Sequence, residues 1–249
     1  MIFRVLQSVV IAAAVFLAPV VTAGEPVDKA LQDKLSAALE VADTGLKVRT
    51  VNTSEIPGLY EVHFTNGPMV YATKDGTYFI VGDLYMVGPE GYVNLAEQRR
   101  DAERAEKLAG VAVDDMIVYS PEGKTRAYIS VYTDVTCFYC QKLHKEVPQL
   151  NKQGVKVRYL AYPRAGVSSD GYDKLASAWC ADNQQEILTK LKAKESVPAK
   201  TCADNPITAQ YKLGQELGVR GTPAIITEDG RLIPGYQSAD DLLVTLGLN

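Results

Sequence analysis

Residues 131–140 read VYTDVTCFYC, and this stretch decides the fold. The segment that leads into it, residues 125–134, alternates aliphatic with aromatic and polar side chains, which is typical of a β-strand. Residues 137–150 then follow a helical pattern, although Pro148 should kink this helix or end it early. A Cys-x-x-Cys motif between a strand and a helix predicts an α/β domain with its chemistry at the start of the helix.

The two cysteines of this motif, Cys137 and Cys140, have different expected roles. A thiol acts as a nucleophile only when ionised, and a free cysteine has a pKa of about 8.5. Unpaired N–H groups and the positive end of the helix dipole favour the thiolate of Cys137. The intervening residues, Phe138 and Tyr139, place Cys140 one turn on, within reach of a small disulfide. We expect the Cys137 sulfur to be exposed and the Cys140 sulfur to lie beneath it.

Three other interpretations of the motif are weaker. Gln141 stands where a haem-attachment motif requires a histidine. Zinc binding by Cys137, Cys140, Cys180 and Cys202 is disfavoured, because the second pair is spaced too widely for a zinc knuckle. An inert structural disulfide in so short a loop would be strained and would gain little entropy. The favoured interpretation is redox catalysis, and no metal or organic cofactor is expected.

The rest of the C-terminal sequence alternates strands with helices. The pattern predicts a strand over residues 155–162, several helices over 168–218, a hairpin over 224–236 and a helix over 239–246. This order indicates an α/β domain with a mixed sheet and a helical insertion. His144, one turn beyond Cys140, is expected to be a solvated surface residue.

Gly221-Thr222-Pro223 stands just before the predicted strand that begins at residue 224. Proline cannot donate to a sheet, and bonds to proline are those that tolerate the cis form. A cis Thr222–Pro223 bond would turn the backbone of Thr222 toward the Cys137 sulfur. That backbone could then pair with an extended segment of a substrate.

The first 23 residues have the layout of a secretory signal peptide. Arg4 precedes an apolar run from Val5 to Val21, and cleavage is expected after Ala23. An uncleaved membrane anchor is less favoured, because polar residues and Pro19 interrupt the run. In an exported protein four cysteines predict two disulfides, for which three pairings are possible.

The chain after the signal peptide divides into three predicted segments. Residues 24–90 read as a small helix-plus-antiparallel-sheet domain, which at this size should gain stability by pairing with a copy of itself. Residues 91–112 contain a mostly solvated linker helix with Asn94 as its cap, and residues 113–249 form the catalytic domain. The net charge is −4 and the basic residues are scattered, so nucleic acid is not an expected partner.

The sequence resembles the DsbC branch of the periplasmic thiol–disulfide isomerases, which includes DsbC-like and DsbG-like proteins, over essentially the whole length after residue 23. The stretches that carry the resemblance are residues 81–85, 131–140, 142–145, 157–164, 179–180 and 217–224.

The resemblance implies a homodimer in which the N-terminal domains pair and linker helices hold two thioredoxin-like domains. It also implies that Cys137 attacks, that Cys140 resolves, that Pro223 is a cis-proline, and that Cys180–Cys202 is a structural disulfide. A membrane reductase of the DsbD type would keep the active-site pair reduced in the periplasm. The implied substrates are misfolded exported proteins with wrong disulfides.

Two positions depart from the related patterns. Phe138-Tyr139 stands where the DsbC branch commonly has Gly-Tyr, so the reduction potential does not carry over. Thioredoxin has a buried acid six residues before its first active-site cysteine, where this chain has Val131. The proton acceptor for Cys140 is therefore unassigned.

These observations predict a thiol–disulfide isomerase or reductase that rearranges non-native disulfides in exported proteins. Two alternatives stay open at this point. One is a periplasmic holdase chaperone with secondary redox activity, and the other is a DsbG-like reductase of sulfenylated cysteines.

Overall fold

A computed structural model of the chain describes residues 24–65, 67–89 and 91–248. The predicted signal peptide lies outside the described residues. The chain divides into two compact units, one that ends at Asp83 and one that begins at Leu84. Within the described residues, no helix is both long and apolar enough to cross a bilayer.

The N-terminal unit is one helix on a four-stranded antiparallel sheet, as the sequence predicts. Its elements are α1 (Lys29–Leu39), β1 (Val48–Thr53), β2 (Leu59–Phe64), β3 (Met69–Thr73) and β4 (Phe79–Val81), and the sheet order is β1-β2-β3-β4. The Asp28 side chain caps α1 by accepting the Leu31 N–H at 2.8 Å. Leu35 and Leu39 of α1 pack on the inward side chains of the sheet, among them Val62.

The second unit begins with an antiparallel strand pair and a helix, followed by the α/β domain. Its elements are β5 (Tyr85–Gly88), β6 (Gly91–Asn94), α2 (Leu95–Ala109), a 3-10 turn (Val113–Asp115), β7 (Ile117–Tyr119), β8 (Ala127–Thr133), α3 (Phe138–Lys152), β9 (Val155–Ala161), α4 (Asp170–Trp179), α5 (Gln184–Lys192), α6 (Ile207–Glu216), β10 (Ala224–Thr227), β11 (Leu232–Pro234) and α7 (Ala239–Thr245).

The sheet of the α/β domain has the order β11-β10-β8-β9-β7. Strands β8 and β9 are parallel and joined through α3, whereas the other pairs are antiparallel, so the sheet is mixed as predicted. Neighbouring residues of β8 point to opposite faces: Val131 joins a core with Leu143 of α3, and Tyr132 joins a second core with Leu217. The central strand β8 thus carries the active-site segment at its C-terminal end, between two packed layers.

Two helices differ from their sequence-based description. Helix α3 continues through Pro148 to Lys152 and does not end early, because Val147 and Leu150 on its inner face are buried in the core. Helix α2 is capped by Asn94 as predicted, but one face of it is not solvated. On that face the Arg104 guanidinium is buried and its Nε donates to the carbonyl oxygen of Leu217 at 2.9 Å.

Candidate active site

A short loop carries the chain from the end of β8 to the start of α3. Cys137 is the N-cap residue of α3, and its N–H donates to the Asp134 carbonyl oxygen at 3.2 Å. The Cys137 carbonyl oxygen accepts the first helical hydrogen bond, from the Gln141 N–H at 3.0 Å. The Gln141 side chain in turn donates to the Val135 carbonyl oxygen at 2.9 Å. The loop is therefore held from both ends before any substrate binds.

The carboxylate of Asp134 ties this loop to the segment after β9. It accepts hydrogen bonds from the N–H and hydroxyl of Thr136, at 2.8 and 2.7 Å, and from the Arg164 N–H at 2.9 Å. Burial raises the pKa of the Asp134 carboxyl, but these hydrogen bonds outweigh burial and hold that pKa below its usual range. The Arg164 side chain lies 3.3 Å from the same carboxylate and places a positive charge beside the loop.

Cys137 and Cys140 are free thiols with opposite electrostatic environments. A hydrogen bond from the Cys140 side chain is the largest cause that lowers the pKa of Cys137, to about 5. Burial opposes this shift, whereas hydrogen bonds from the Thr222 side chain and the Cys140 N–H and the charge of Arg164 add to it. Burial, followed by the hydrogen bond to Cys137, raises the pKa of Cys140. At neutral pH this arrangement gives one thiolate and one protonated thiol.

The Thr222–Pro223 peptide bond is cis, as the sequence predicts. In the thiol form Cys137 Sγ donates to the Thr222 carbonyl oxygen at 3.2 Å, across 85 positions of sequence. Strand β10 begins at the next residue, Ala224, and pairs with β8. The sheet itself thus brings the backbone of Thr222 to the sulfur.

The sulfur of Cys137 is covered more than we expected. The residue is only 3% exposed, so the expectation of an exposed sulfur is wrong for this conformation. Thr222 and Cys140 both lie within hydrogen-bond reach of this sulfur and help to cover it. Phe138 and Tyr139 instead project outward, with 65% and 55% exposure. Their rings lie edge to face, with centroids 5.4 Å apart.

Cys180 and Cys202 form a disulfide, which is the pairing that the resemblance implies. Cys180 ends helix α4, and the loop closed by the bridge contains all of α5. Because the bridge uses these two sulfurs, no site with four zinc-bound cysteines forms. Among the described residues, no group of three or more His, Cys, Asp or Glu side chains could hold a metal ion.

His144 is buried, so the expectation of a solvated surface residue is wrong. Its Nδ1 lies 3.0 Å from the Tyr159 hydroxyl and its Nε2 lies 3.1 Å from Thr189 Oγ1. Burial, followed by the positive charge of Lys192, lowers the pKa of His144 to about 4. The sequence contained the relevant signal, because His144 stands next to Leu143 on the apolar side of α3.

Sequence reasoning missed three charged residues around the two thiols. Asp134 and Arg164 lie within stretches that carry the family resemblance, but their pairing needed the structure to be seen. Lys192 is buried at the end of α5, in a segment that reads as a solvated helix terminus. No sequence pattern distinguishes Lys192 from its exposed neighbour Lys190.

Comparisons with known proteins agree with this fold. The family model described as a thioredoxin-like domain matches residues 113–247, and the model described as a disulfide bond isomerase protein N-terminal domain matches residues 22–97. The chain is 40% identical over 204 residues to the thiol:disulfide interchange protein DsbC of Dickeya dadantii, with 81% of this chain and 82% of that protein covered. This chain belongs to the DsbC family.

Other relatives are consistent with that membership. The DsbC protein of Escherichia coli K12 is 35% identical over 216 residues, with 86% of this chain and 85% of that protein covered. A solved linker-deletion mutant of ScsC from Proteus mirabilis superposes with a TM-score of 0.52 at 16% identity, over 61% of this chain and 83% of that one, and supports the fold alone. As a DsbC-family member the chain is a thiol–disulfide oxidoreductase, which confirms the family, the fold class and the enzyme class predicted from the sequence.

Proposed function

We propose that this chain rearranges non-native disulfides in exported proteins through Cys137 and Cys140. The observation that carries the proposal is the pairing of a thiol of lowered pKa at a helix N-terminus with a buried thiol of raised pKa one turn on. The first is a nucleophile at neutral pH, and the second stays protonated until it is needed.

The reaction begins when the Cys137 thiolate attacks one sulfur of a wrong disulfide. A Cys137–substrate disulfide forms, the substrate bond breaks, and the second substrate sulfur leaves as a thiolate. Another substrate thiolate then attacks the substrate sulfur of this mixed disulfide and regenerates Cys137. If rearrangement stalls, Cys140 attacks Cys137 instead, which releases reduced substrate and leaves the enzyme oxidised.

Substrate reaches the covered sulfur by replacing its contact with Thr222. The Thr222 carbonyl oxygen beside Cys137 and the cis Pro223 offer a short backbone edge to an extended substrate segment. The exposed rings of Phe138 and Tyr139 give unfolded chains an apolar surface next to the sulfur. These four residues are the proposed substrate-binding set.

The proposed assembly is a homodimer formed through the domain of residues 24–90. Strand β4 is the edge of its sheet, and its three residues Phe79, Ile80 and Val81 are all exposed and apolar. An exposed apolar edge strand is suited to pairing with a second copy. The test is analytical sedimentation of the Ile80→Lys variant, which should be monomeric. Val41→Lys is the control and should remain dimeric, because Val41 is exposed but lies outside the sheet. A dimeric Ile80→Lys protein would contradict this assembly.

The proposed location is the periplasm, where a reductase of the DsbD type would keep the pair reduced. The family model for the N-terminal domain matches from residue 22, next to the predicted cleavage after Ala23. That agreement supports export. The role of residues 91–112 as a linker between dimerisation and catalytic domains also belongs to this proposal.

The test is the refolding of a scrambled multi-disulfide ribonuclease, followed by recovery of its activity. Cys137→Ser should abolish recovery, and Cys140→Ser should accumulate a mixed disulfide with the substrate that is detectable by mass. Recovery that survives Cys137→Ser would contradict the proposal and favour a holdase chaperone. A Cys137→Ser protein that loses only its activity on sulfenylated thiols would favour the DsbG-like reductase.

A further inference from the structure

The resolving thiol Cys140 is buried, and the position of thioredoxin's buried acid is occupied by Val131. The active-site loop carries one carboxylate, that of Asp134, which accepts hydrogen bonds from Thr136 and Arg164. An ionised and fully bonded carboxylate cannot take up the proton of Cys140 without losing these bonds. Some other group must therefore favour the ionisation of Cys140.

Two neutral side chains near the site, those of His144 and Tyr159, do not favour the ionisation of Cys140. Both ring nitrogens of His144 are hydrogen-bonded, and its lowered pKa keeps the ring uncharged at neutral pH. Tyr159 is fully buried, and burial, with the nearby Tyr119 and Cys140, raises its pKa. Neither side chain places a positive charge beside the sulfur.

Lys192 does place a positive charge there. It is the last residue of α5 and is 3% exposed. Its ammonium donates to Thr133 Oγ1 and, at 3.2 Å, to the Asp134 carbonyl oxygen. The same carbonyl oxygen accepts the N–H of Cys137. A single carbonyl group therefore links the buried ammonium to the active-site loop.

The charges around Lys192 keep it protonated despite its burial. Burial lowers the pKa of Lys192 to about 8, whereas the charges of Cys140, Asp134 and Cys137 raise it and that of Arg164 lowers it. At pH 7 the side chain is thus mostly charged. A buried cation is costly unless it has anionic partners. The Cys137 thiolate is such a partner before the reaction, and the Cys140 thiolate becomes one during the resolving step.

We propose that Lys192 is the buried cation that stabilises the Cys140 thiolate when Cys140 attacks the mixed disulfide, and that it sets the rate of this resolving step. The inference rests on the function proposed above. Lys192 acts through its charge and is a positioning residue, whereas the sulfurs carry the covalent chemistry.

The resolving step balances without any oxidant. Cys140 loses its proton to solvent, and its thiolate attacks Cys137 Sγ. The Cys137–Cys140 bond forms, the Cys137–substrate bond breaks, and the substrate sulfur leaves with the electron pair and takes a proton from solvent. In the mixed disulfide Cys137 carries no charge, so burial is the main force against ionisation of Cys140, and Lys192 opposes it.

A cavity provides the route for the proton. It has a volume of about 740 Å³ and is lined by Lys192, Gln141, His144 and Thr189, among others. These polar side chains can hydrogen-bond water beside Lys192, although most of the lining is apolar. Lys192 thus lies between the active-site loop and a space from which a proton can be exchanged.

The experiment is a two-phase reaction of the reduced full chain with the aromatic disulfide dithiobis(nitrobenzoate), followed in a stopped-flow spectrometer from pH 5 to 10. Attack by Cys137 releases the first coloured thiolate, and attack by Cys140 on the resulting mixed disulfide releases the second. Lys192→Met preserves the length of the side chain and removes its charge. At pH 7 the second phase of this variant should be about tenfold slower, as expected for a rise of one unit in the pKa of Cys140. The rate of the first phase should change less.

Charge and structure are separated by two further variants. Lys192→Arg keeps the charge and should restore most of the rate of the second phase. Lys190→Met removes an exposed lysine of the same helix and should behave as the unchanged protein. The Lys192→Met deficit should shrink as the pH rises, because Cys140 then ionises without help.

Two results would overturn the role of Lys192. One is a second phase in Lys192→Met with the rate and pH dependence of the unchanged protein. The other is an equal loss of both phases at every pH, which would indicate a structural role. A first phase that persists in Cys137→Ser would instead contradict the proposed function, so the two failures are distinguishable.

Discussion

Removal of the Cys180–Cys202 bridge should destabilise the catalytic domain by an amount that follows from its loop. The two cysteines are 22 positions apart, and closure of a loop of this size stabilises a fold by about 3 kcal/mol in the chain-entropy model. The loop contains α5, whose Leu188 and Leu191 are buried in the core. The bridge therefore anchors the helix that carries Thr189 and Lys192.

The measurement is urea unfolding followed by tryptophan fluorescence. Trp179 is the single tryptophan of the chain, is buried beside Cys180, and donates to the Asp115 carbonyl oxygen at 2.9 Å. Its emission reports the unfolding of the domain that contains the bridge. Cys180→Ala with Cys202→Ala should lower the free energy of unfolding by about 3 kcal/mol.

The comparison uses a background in which Cys137 and Cys140 are both alanine, so that neither protein can form a wrong disulfide. Unfolding curves are compared for the background protein and for the protein that also lacks Cys180 and Cys202. Their difference in the free energy of unfolding is the contribution of the bridge. A loss below about 1 kcal/mol would refute the reasoning, because the closed loop would then not restrict the unfolded chain as the model requires.

Two further substitutions test the surroundings of the thiols. Phe138→Ala should change the free energy of unfolding by less than about 0.5 kcal/mol, because the ring is exposed. It should raise KM for a scrambled protein and leave the reaction with a small disulfide unchanged. Equal effects on both substrates would contradict the role of Phe138 in binding. Gly230→Ala should cost more than about 1 kcal/mol, because Gly230 has φ +88° and an added Cβ would stand 1.7 Å from the Asp101 carbonyl oxygen of α2. Gly235→Ala, at φ +84° in open space, is the matched control, and an equal loss in both variants would contradict the contact with α2.

The sequence predicted the elements whose signals are local. The alternation in β8, the Cys-x-x-Cys motif and the Gly-Thr-Pro before β10 each depend on a few adjacent residues, and the structure has the strand, the helix start and the cis bond at those positions. The approach of the Thr222 backbone to the Cys137 sulfur was predicted from the same local motifs, and the structure confirms it.

The features that sequence reasoning missed depend on distant segments. Cys137 is covered because Thr222, 85 positions away, approaches its sulfur. His144 is buried because Tyr159 and Thr189 offer partners to both ring nitrogens. Lys192 lies at a helix end, where a lysine normally points into solvent. Only the packing of α5 against α3, α4 and β7 lets its ammonium reach Thr133 at the end of β8. Tertiary packing determines whether these side chains are buried, and the periodicity of the sequence does not predict it.

The most direct test of the whole account is the pH dependence of Cys137 alkylation. The reduced protein is treated briefly with iodoacetamide at a series of pH values, and modification of Cys137 and Cys140 is quantified separately by peptide mass, with the urea-unfolded protein as reference. Because the hydrogen bond from Cys140 lowers the pKa of Cys137 to about 5, its alkylation rate should reach half its maximum near that pH and stay high at pH 7, while Cys140 stays unmodified. A half-maximum near 8.5, as in the unfolded chain, would contradict the claim that the fold activates this thiol.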